Sequence, residues 1–493
     1  MIYICLNKYK QKNRLIFLNH SLIFALLSLL LFTSCEDTLL EEPKAVSEEN
    51  FYNTFEEVET AVNAVYLPLR QTWLLVGFNS AHTDHTFGRG SWAALNSYEG
   101  LNGTWVNRMS SVWVLYYESI RNANIVIDVV PNAESLNPDD IAKFIAEAKF
   151  LRAFSYFQLV KHWGGVPIRT EANIDNADTK RSSVEDVYAL IVSDLEEAID
   201  VLPITPSISG KPSVGAAKTI LADVYLNLNK FTEASALASE VINSKIYSLV
   251  PVQTTDDFQN IFGPNVVTTS EEIFYLKFSH DVGQGDLWPW LLQRAGTGFH
   301  GAGGVFGVHS DSNSFVHTNW DDDDLRKGQW FNWDLGLGPT SLLSKKLIDP
   351  DAVGGAGAGN PQTWYRYADI LLIYAEAAGR VADAPTVESM EALNQVHRRA
   401  FGYDPTMPSP VDFIVGDYDG TTFLDLIIKE RGYEFQLEGK RWSELIRTGK
   451  LSEIILEAKG KVVLDLELLL PIPVNELNAN GELDSSTDQN PGY

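Results

Sequence analysis

The chain has 493 residues, with 65 acidic against 38 basic side chains and a formal net charge of −27 at pH 7. Phosphate backbones are bound through basic faces, so this composition argues against nucleic acid as a partner. Only two cysteines are present, Cys5 and Cys35, and a chain of this length can bury a core without disulfides, as one unit or as two sub-domains.

The first 34 residues have the layout of a lipoprotein signal peptide. Four basic residues precede an apolar stretch from Leu22 to Phe32, which is too short to cross a bilayer. Two small residues then lead to Cys35, which we expect to become the lipidated first residue of the mature chain. An ordinary cleaved signal with an incidental cysteine is the alternative, and both interpretations predict export. No second apolar run has membrane length, so the lipid is the only anchor that the sequence supplies.

Helical periodicity begins soon after the acidic tether at residues 35–45. Thr54 and Glu57 have the spacing of a capping box ahead of an apolar face. Further helices are predicted over residues 113–130, 141–163 and 183–199. Between the helix that follows Thr54 and the segment that begins at residue 113, residues 71–113 lack a sustained period and are predicted to be long loops.

Residues 217–242 have the small-large alternation and the helix-turn-helix spacing of a tetratricopeptide unit. A weaker version of the same pattern covers residues 367–400. The sequence therefore predicts a mainly α protein in which tetratricopeptide-like helix pairs form an α-solenoid scaffold.

Residues 251–366 form a second irregular region, rich in glycine and aromatic residues. One short strand is predicted over residues 273–278. A long loop-dominated stretch in a compact protein is usually functional or disordered, and the aromatic density argues against disorder.

Most of the twelve tryptophans lie in the two irregular regions. Aromatic rings on loops beside polar residues suit a carbohydrate, because sugar C–H faces stack on rings while the hydroxyls need directional partners. The alternative is that the rings plug the ends of helices. Polar, Gly or Pro neighbours make ligand contact a candidate role for Trp92, Trp288, Trp290 and Trp320, whereas apolar and aromatic surroundings favour the core for Trp113, Trp330, Trp333 and Trp364.

Catalytic patterns are mostly missing. The sequence contains no H-E-x-x-H, G-x-S-x-G or P-loop motif and no cysteine nucleophile. His82 and His85 with Asp84 could hold a metal, but a histidine pair in a loop is more often a hydrogen-bonding feature. We therefore predict no catalytic residues, no metal ligands and no cofactor.

The segment from Lys429 to Lys450 interleaves charges with apolar residues at helical spacing. Arginine side chains that bridge two helices through carboxylates would satisfy these charges internally. We interpret the segment as structural rather than as a substrate clamp.

Several motifs follow one another along the chain. They include the lipobox cysteine, W-x2-Y-Y-x2-I-x2-A-N from Trp113, and E-A-K-x-L-R-A-F-x-Y-F ending in W-G-G-V-P at Pro167. The most specific are the R-Y-A-D-I-L-L-I-Y-A-E-A run from Arg366 and the Glu430-Arg431 pair with E-G-K-R-W from Glu438. Together they resemble the SusD/RagB family of outer-membrane nutrient-binding lipoproteins, and the likeness covers essentially the whole mature chain.

The resemblance implies a SusD-like fold with a loop-rich ligand-binding face, built from a part over residues 46–250 and a part over 251–493 that pack as one unit. It implies a lipid-anchored outer-membrane protein, facing the exterior, that passes oligosaccharides to a SusC-like TonB-dependent transporter. The implied ligand-binding residues are Asp84, Arg89, Trp92, Trp288, Trp290 and Trp320.

Three other functions stay open at this point. Relatives that import peptides make a peptide ligand an alternative to a glycan. Abundant carboxylates and aromatic loops would also suit an exported helical glycosidase, although the expected regular spacing of acids is not found. A protein-interaction scaffold is the third alternative.

Overall fold

Antiparallel helices packed side by side make up most of the structure. The computed structural model describes residues 52–176 and 178–493, so the predicted signal peptide, Cys35 and the tether lie outside the described residues. The first helices are α1 (Phe55–Leu69), α2 (Trp73–Ala81), α3 (Gly103–Val129), α4 (Pro138–Trp163), α5 (Val184–Val201), α6 (Val214–Asn227) and α7 (Phe231–Asn243). Three short helices follow, α8 (Gln259–Phe262), α9 (Trp288–Leu292) and α10 (Phe315–Thr318). The last are α11 (Tyr367–Ala382), α12 (Val387–Ala400), α13 (Gly420–Glu434), α14 (Arg441–Arg447), α15 (Leu451–Lys459) and α16 (Val474–Ala479).

The long helices form a continuous stack. Each helix contacts the next in the order α1, α3, α4, α5, α6, α7 and α11. Helix α11 also packs on α12 and α13. Within the clearest repeat unit, α6 and α7 are joined by a tight turn in which Asn229 has a φ of 56°, a left-handed conformation that asparagine tolerates. The prediction of a mainly α protein with tetratricopeptide-like pairs is confirmed.

The predicted helix starts are also present. The Thr54 side chain accepts a hydrogen bond from the Glu57 N–H, and the Glu57 carboxylate accepts one from the Thr54 N–H. Ser183 likewise caps α5 by accepting from the Asp186 N–H. These contacts satisfy backbone donors that the first helical turn leaves without partners.

The prediction of long loops over residues 71–113 is wrong in part. Residues 73–81 form α2, and α3 begins at Gly103, ten residues before the predicted start at Trp113. Every residue of α2 from Leu75 to Ala81 is buried, so this helix has no polar face. A helix buried on all sides lacks the amphipathic period on which the prediction depended.

In the part of the chain that the structure describes, six short strands lie mainly in the second irregular region. They are β1 (Phe87–Gly88), β2 (Glu272–Leu276), β3 (Val308–Asp311), β4 (Trp330–Asn332), β5 (Ser341–Ser344) and β6 (Gln362–Arg366). The predicted strand over residues 273–278 is confirmed as β2, which pairs antiparallel with β6. The other strands form one sheet in the order β1-β3-β5-β4. Each has five residues or fewer, which is too short for a readable alternation of apolar and polar residues.

A buried network of ion pairs joins β2, β6, α12 and α13. Arg366, which has no exposed surface, donates to Glu271 at 2.6 Å, to Glu434 at 2.5 Å and to Glu438 at 2.8 Å. Arg399 pairs with Glu271 and Glu434 as well.

The adjoining charges of the C-terminal helices are paired in the same way. Arg431 pairs with Glu444 between α13 and α14, and Arg447 pairs with Glu376 of α11 at 2.6 Å. The structural interpretation of residues 429–450 is confirmed, because their arginines bridge helices through carboxylates.

The end of the chain closes over the end of α4. The Trp163 indole N–H donates to the Pro471 carbonyl oxygen at 3.0 Å. The Asn490 side chain donates to the Trp163 carbonyl oxygen at 2.9 Å and to that of Leu470 at 2.6 Å. Arg181 reaches the same place and donates to the Asp488 carbonyl oxygen at 2.8 Å.

Acid sensitivity is predicted at Glu430. This residue joins the buried ion-pair network through Arg326, which also pairs with Glu434. Burial by itself would raise the pKa of this carboxyl, but Arg326 at 2.6 Å and His397 at 3.1 Å lower it to about 2. A depressed pKa in the folded state stabilises the fold above the unfolded-state pKa near 4.5, and this contribution is lost as the pH falls toward 2. This contribution of Glu430 to the free energy of unfolding is on the order of 3 kcal/mol.

Urea denaturation of the wild type and of Glu430→Gln between pH 7 and pH 2 measures this contribution. The wild type should be the more stable protein at pH 7, and the difference should shrink between pH 5 and pH 2. A difference that is the same at every pH would contradict the assignment.

Candidate ligand-binding site

The loop-rich face is held together by the β1-β3-β5-β4 sheet. β1 belongs to the loop after α2, and it pairs antiparallel with β3 of the second irregular region. The backbone pairing continues beyond the strands, because the Arg89 N–H donates to the Gly307 carbonyl oxygen and the Phe306 N–H donates to that of Gln293, both at 2.8 Å. Segments that are distant in sequence are therefore placed on one surface.

Phe306 is the centre of this surface. Its ring is 2% exposed and packs with Leu335 and Leu343 in a small core separate from the main one. The Arg89 guanidinium carbon lies 3.9 Å from the ring centroid, and that of Arg294 lies 4.4 Å from it. Phe306 has a φ of 39°, a left-handed conformation that a bulky residue rarely adopts and that is concentrated at functional sites.

Three half-buried rings, those of Phe299, Phe331 and Trp333, surround this core. The Phe299 and Phe331 rings meet edge to face with centroids 5.1 Å apart, and the Phe331 and Trp333 centroids are 6.2 Å apart. We call the three rings together with Phe306, Arg89 and Arg294 the aromatic platform.

Polar side chains flank the platform. Asn332 and Asp334, on either side of Trp333, are exposed. Half-buried rings next to exposed amide, carboxylate and guanidinium groups can stack on a sugar ring and bond its hydroxyls.

Two of the six predicted ligand-binding residues are accessible at this face. Arg89 is exposed and forms part of the platform. Trp290 is half-buried at the edge of the same surface, where its carbonyl oxygen accepts from the Val305 N–H. A ligand contact for these two residues stays a prediction.

Asp84 is buried, in contrast to the open position that the sequence suggests. Its carboxylate accepts from the Arg441 guanidinium at 2.8 and 3.0 Å, and the His85 ring lies 3.3 Å away. Burial would raise the pKa of this carboxyl, but Arg441 and His85 hold it well below its usual range. Asp84 therefore ties the loop after α2 to α14, and Arg441 engages both of its carboxylate oxygens.

Trp92 and Trp288 belong to the core, contrary to the expectation of open rings. Trp92 is 4% exposed and meets Trp105 edge to face at 4.8 Å. Trp288 is 1% exposed, and its indole N–H donates to the Leu437 carbonyl oxygen at 3.1 Å. Gly77 makes room for both rings, since a Cβ there would lie 2.5 Å from Trp92.

Trp320 is also buried, at 3% exposure. Its ring stacks parallel on Tyr433 with centroids 4.4 Å apart, and its N–H donates to Asp324 at 2.8 Å. Trp320 therefore supports Tyr433 and cannot stack on a ligand in this conformation.

Tyr433 lines a second depression, a cleft of about 360 Å³ between α10, α13 and α15. Asp84 and His85 lie at the same cleft. Some charged groups on the wall of the cleft pair with each other, such as Lys450 with Asp425 at 2.7 Å.

The sequence missed Phe299, Phe306 and Phe331, and it assigned Trp333 to the core. The core assignment holds for Trp113, Trp330 and Trp364, which are 2%, 9% and 5% exposed. One signal could have identified Trp333: it lies between Asn332 and Asp334, and polar neighbours of this kind had singled out other tryptophans.

Two family profiles match separate parts of the chain. One, described as starch-binding and associating with the outer membrane, covers residues 41–226, and one described as the SusD family covers residues 337–493. The chain belongs to the SusD/RagB family. Its members include SusD-like protein P2 of Formosa agariphila, 27% identical over 94% of this chain and 98% of the relative, and a SusD-like protein of Bacteroides ovatus, 25% identical over 87% of this chain and 83% of the relative.

Solved structures of the family share the fold. A SusD homolog from Bacteroides thetaiotaomicron superposes with a TM-score of 0.75 at 23% identity, over 90% of this chain and 98% of that structure. A laminarin-binding SusD-like protein superposes with a TM-score of 0.71 at 23% identity, over 90% of this chain and 100% of that structure. Surface glycan-binding protein A of Bacteroides thetaiotaomicron, solved in complex with laminarihexaose, superposes with a TM-score of 0.70 at 22% identity, over 87% of this chain and 98% of that structure.

Among residues 52–176 and 178–493, no helix is long and apolar enough to span a membrane. The same residues contain no group of three or more His, Cys, Asp or Glu side chains arranged to hold a metal ion.

Proposed function

We propose that this protein is a cell-surface lipoprotein that binds oligosaccharides and delivers them to a SusC-like TonB-dependent outer-membrane transporter. The observation that carries the proposal is the aromatic platform, three half-buried rings beside exposed polar groups on the loop-rich face. Family membership supports it, as do the two similar structures whose names include laminarin or laminarihexaose.

In this proposal the protein acts by binding and carries out no catalysis. Cys35 carries the lipid and holds the chain on the outer membrane, facing the exterior. The transporter takes the bound oligosaccharide from the platform. Lipid anchor, transporter and glycan are all parts of the proposal.

Trp333→Ala is expected to weaken glycan binding by about 1–3 kcal/mol, the range found for aromatic anchors at binding surfaces. The half-buried indole offers a rigid plane whose loss removes stacking area and opens little of the main core. Isothermal titration against a panel of oligosaccharides, with laminarihexaose among them, measures the affinity. Thermal unfolding should change far less than in a core tryptophan variant.

Trp330→Ala is the matched control, because Trp330 lies three residues earlier and is 9% exposed. Its replacement should destabilise the fold more than that of Trp333. If no oligosaccharide binds while peptides do, the ligand is a peptide and the glycan proposal fails. If a bound oligosaccharide is cleaved on prolonged incubation, the protein is an enzyme instead.

A further inference from the structure

Two arginines of the platform have no polar partner. Among the described residues, the guanidinium groups of Arg89 and Arg294 form no ion pair and no hydrogen bond, and each lies over the ring of Phe306. Many other arginines of the described residues pair with carboxylates, as at Arg152, Arg366 and Arg447. Arg89 and Arg294 therefore keep their donors free although the chain has 65 acidic residues.

A third arginine lies at the edge of the same loop. Arg108 of α3 donates through Nη2 to the Ser91 hydroxyl at 2.9 Å, while its Nη1 is buried without a partner. Its guanidinium carbon lies 4.7 Å from the Trp105 ring. Three cationic groups thus border one surface, and among the described residues none of them forms an ion pair with a carboxylate.

The acidic residues close to the platform in sequence are engaged elsewhere. Asp334 accepts from the Gly336 N–H at 2.9 Å. Asp311 accepts from the Asn313 N–H at 2.8 Å and from the Thr340 hydroxyl at 3.0 Å. These carboxylates stabilise turns, and neither of them forms an ion pair with Arg89 or Arg294.

Stacking on Phe306 orients the arginines without using their hydrogen-bonding capacity. A guanidinium over an aromatic face keeps its N–H groups in a planar fork at its edge. That fork matches two oxygens of a carboxylate or a similar oxyanion, and it does so with stronger, charge-assisted bonds than a neutral hydroxyl can form. A neutral sugar would leave this capacity largely unused.

We propose that the platform binds an acidic glycan, one whose sugar rings carry carboxylate or sulfate groups, with Arg89 and Arg294 holding the anionic group. The inference rests on the proposed function and specifies its ligand. Phe299, Phe331 and Trp333 stack on neighbouring sugar rings, and Arg108 extends the cationic surface.

Titration of the full mature chain with three oligosaccharides tests the inference. Oligogalacturonate carries carboxylates, an oligosaccharide of a sulfated galactan carries sulfate esters, and laminarihexaose is neutral. At least one acidic probe should bind ten times more tightly than laminarihexaose, and the better of the two identifies the anionic group. Raising NaCl from about 50 to 500 mM should weaken that binding, because screening acts on charged contacts.

The double variant Arg89→Gln/Arg294→Gln should lose at least tenfold in affinity for the preferred acidic probe. Arg121→Gln is the control: this exposed arginine is on the same helix as Arg108, thirteen residues or roughly 20 Å along it, and its loss should leave the affinity unchanged. Equal thermal unfolding of the three proteins shows that the effect is local.

Three outcomes would overturn the inference. If the acidic probe binds the double variant as tightly as the wild type, the arginines do not hold it. If laminarihexaose binds as well as both acidic probes and Trp333→Ala weakens it, the acidic ligand is wrong while the proposed function stands. Binding of none of the three probes also rules out the acidic ligand, and only a negative result across the wider panel would then remove glycan binding itself.

Discussion

Arg366→Met is expected to lower the free energy of unfolding by about 3–5 kcal/mol, the cost of removing one partner from a buried ion pair. Arg366 is fully buried and holds Glu271, Glu434 and Glu438. Methionine fills part of the space but leaves three carboxylates with fewer donors in a region that water cannot reach. Urea denaturation at pH 7 measures the change.

The control is Lys218→Met, which breaks an ion pair with Glu240 at the surface. Exposed pairs contribute about 0–1 kcal/mol, because water solvates the separated charges. If the two variants lose the same stability, burial does not decide the energetics of the network.

Trp288→Ala is expected to destabilise the fold by about 3–5 kcal/mol, as for other large core residues. The ring is 1% exposed, packs beside Trp92 and donates to the Leu437 carbonyl oxygen. Truncation therefore leaves a cavity and a backbone acceptor without its partner. Thermal and urea unfolding both report the loss.

Trp290→Ala is the matched control, since Trp290 is two residues away on the same short helix and is half-buried. Trp290→Ala should lower the free energy of unfolding clearly less than Trp288→Ala does. If Trp288→Ala leaves the fold intact and weakens glycan binding instead, the ring belongs to the ligand site as the sequence suggests.

The sequence predicts helices well where one face is polar. The apolar period around Val58 and Val62 and the caps at Thr54 and Ser183 all correspond to helices in the structure. It fails at α2, because a helix surrounded by other helices has no polar side to produce a period. The buried ion pairs were predictable for a related reason: charges at helical spacing among apolar residues need partners inside the protein.

The direction of a loop tryptophan could not be predicted from its neighbours. Trp92 and Trp288 have Gly, Ser or Pro beside them, as exposed rings often do, but glycines at positions 77 and 307 open space for Trp92 in the core. Trp333 has polar neighbours and stays at the surface. The difference depends on which distant segment packs over each ring, and a single sequence does not contain that information.

The last residues of the chain set the order in which the molecule can fold. Trp163 and Arg181 find their hydrogen-bond partners in Pro471, Asp488 and Asn490, about three hundred residues later. Until residues 471–490 are in place, the end of α4 lacks the donors and acceptors that they supply. Contacts between segments so far apart in the sequence form slowly, so this part of the native state is completed late. A deletion of the last five residues would remove Asn490 and leave the Trp163 and Leu470 carbonyl oxygens without the donor that it supplies.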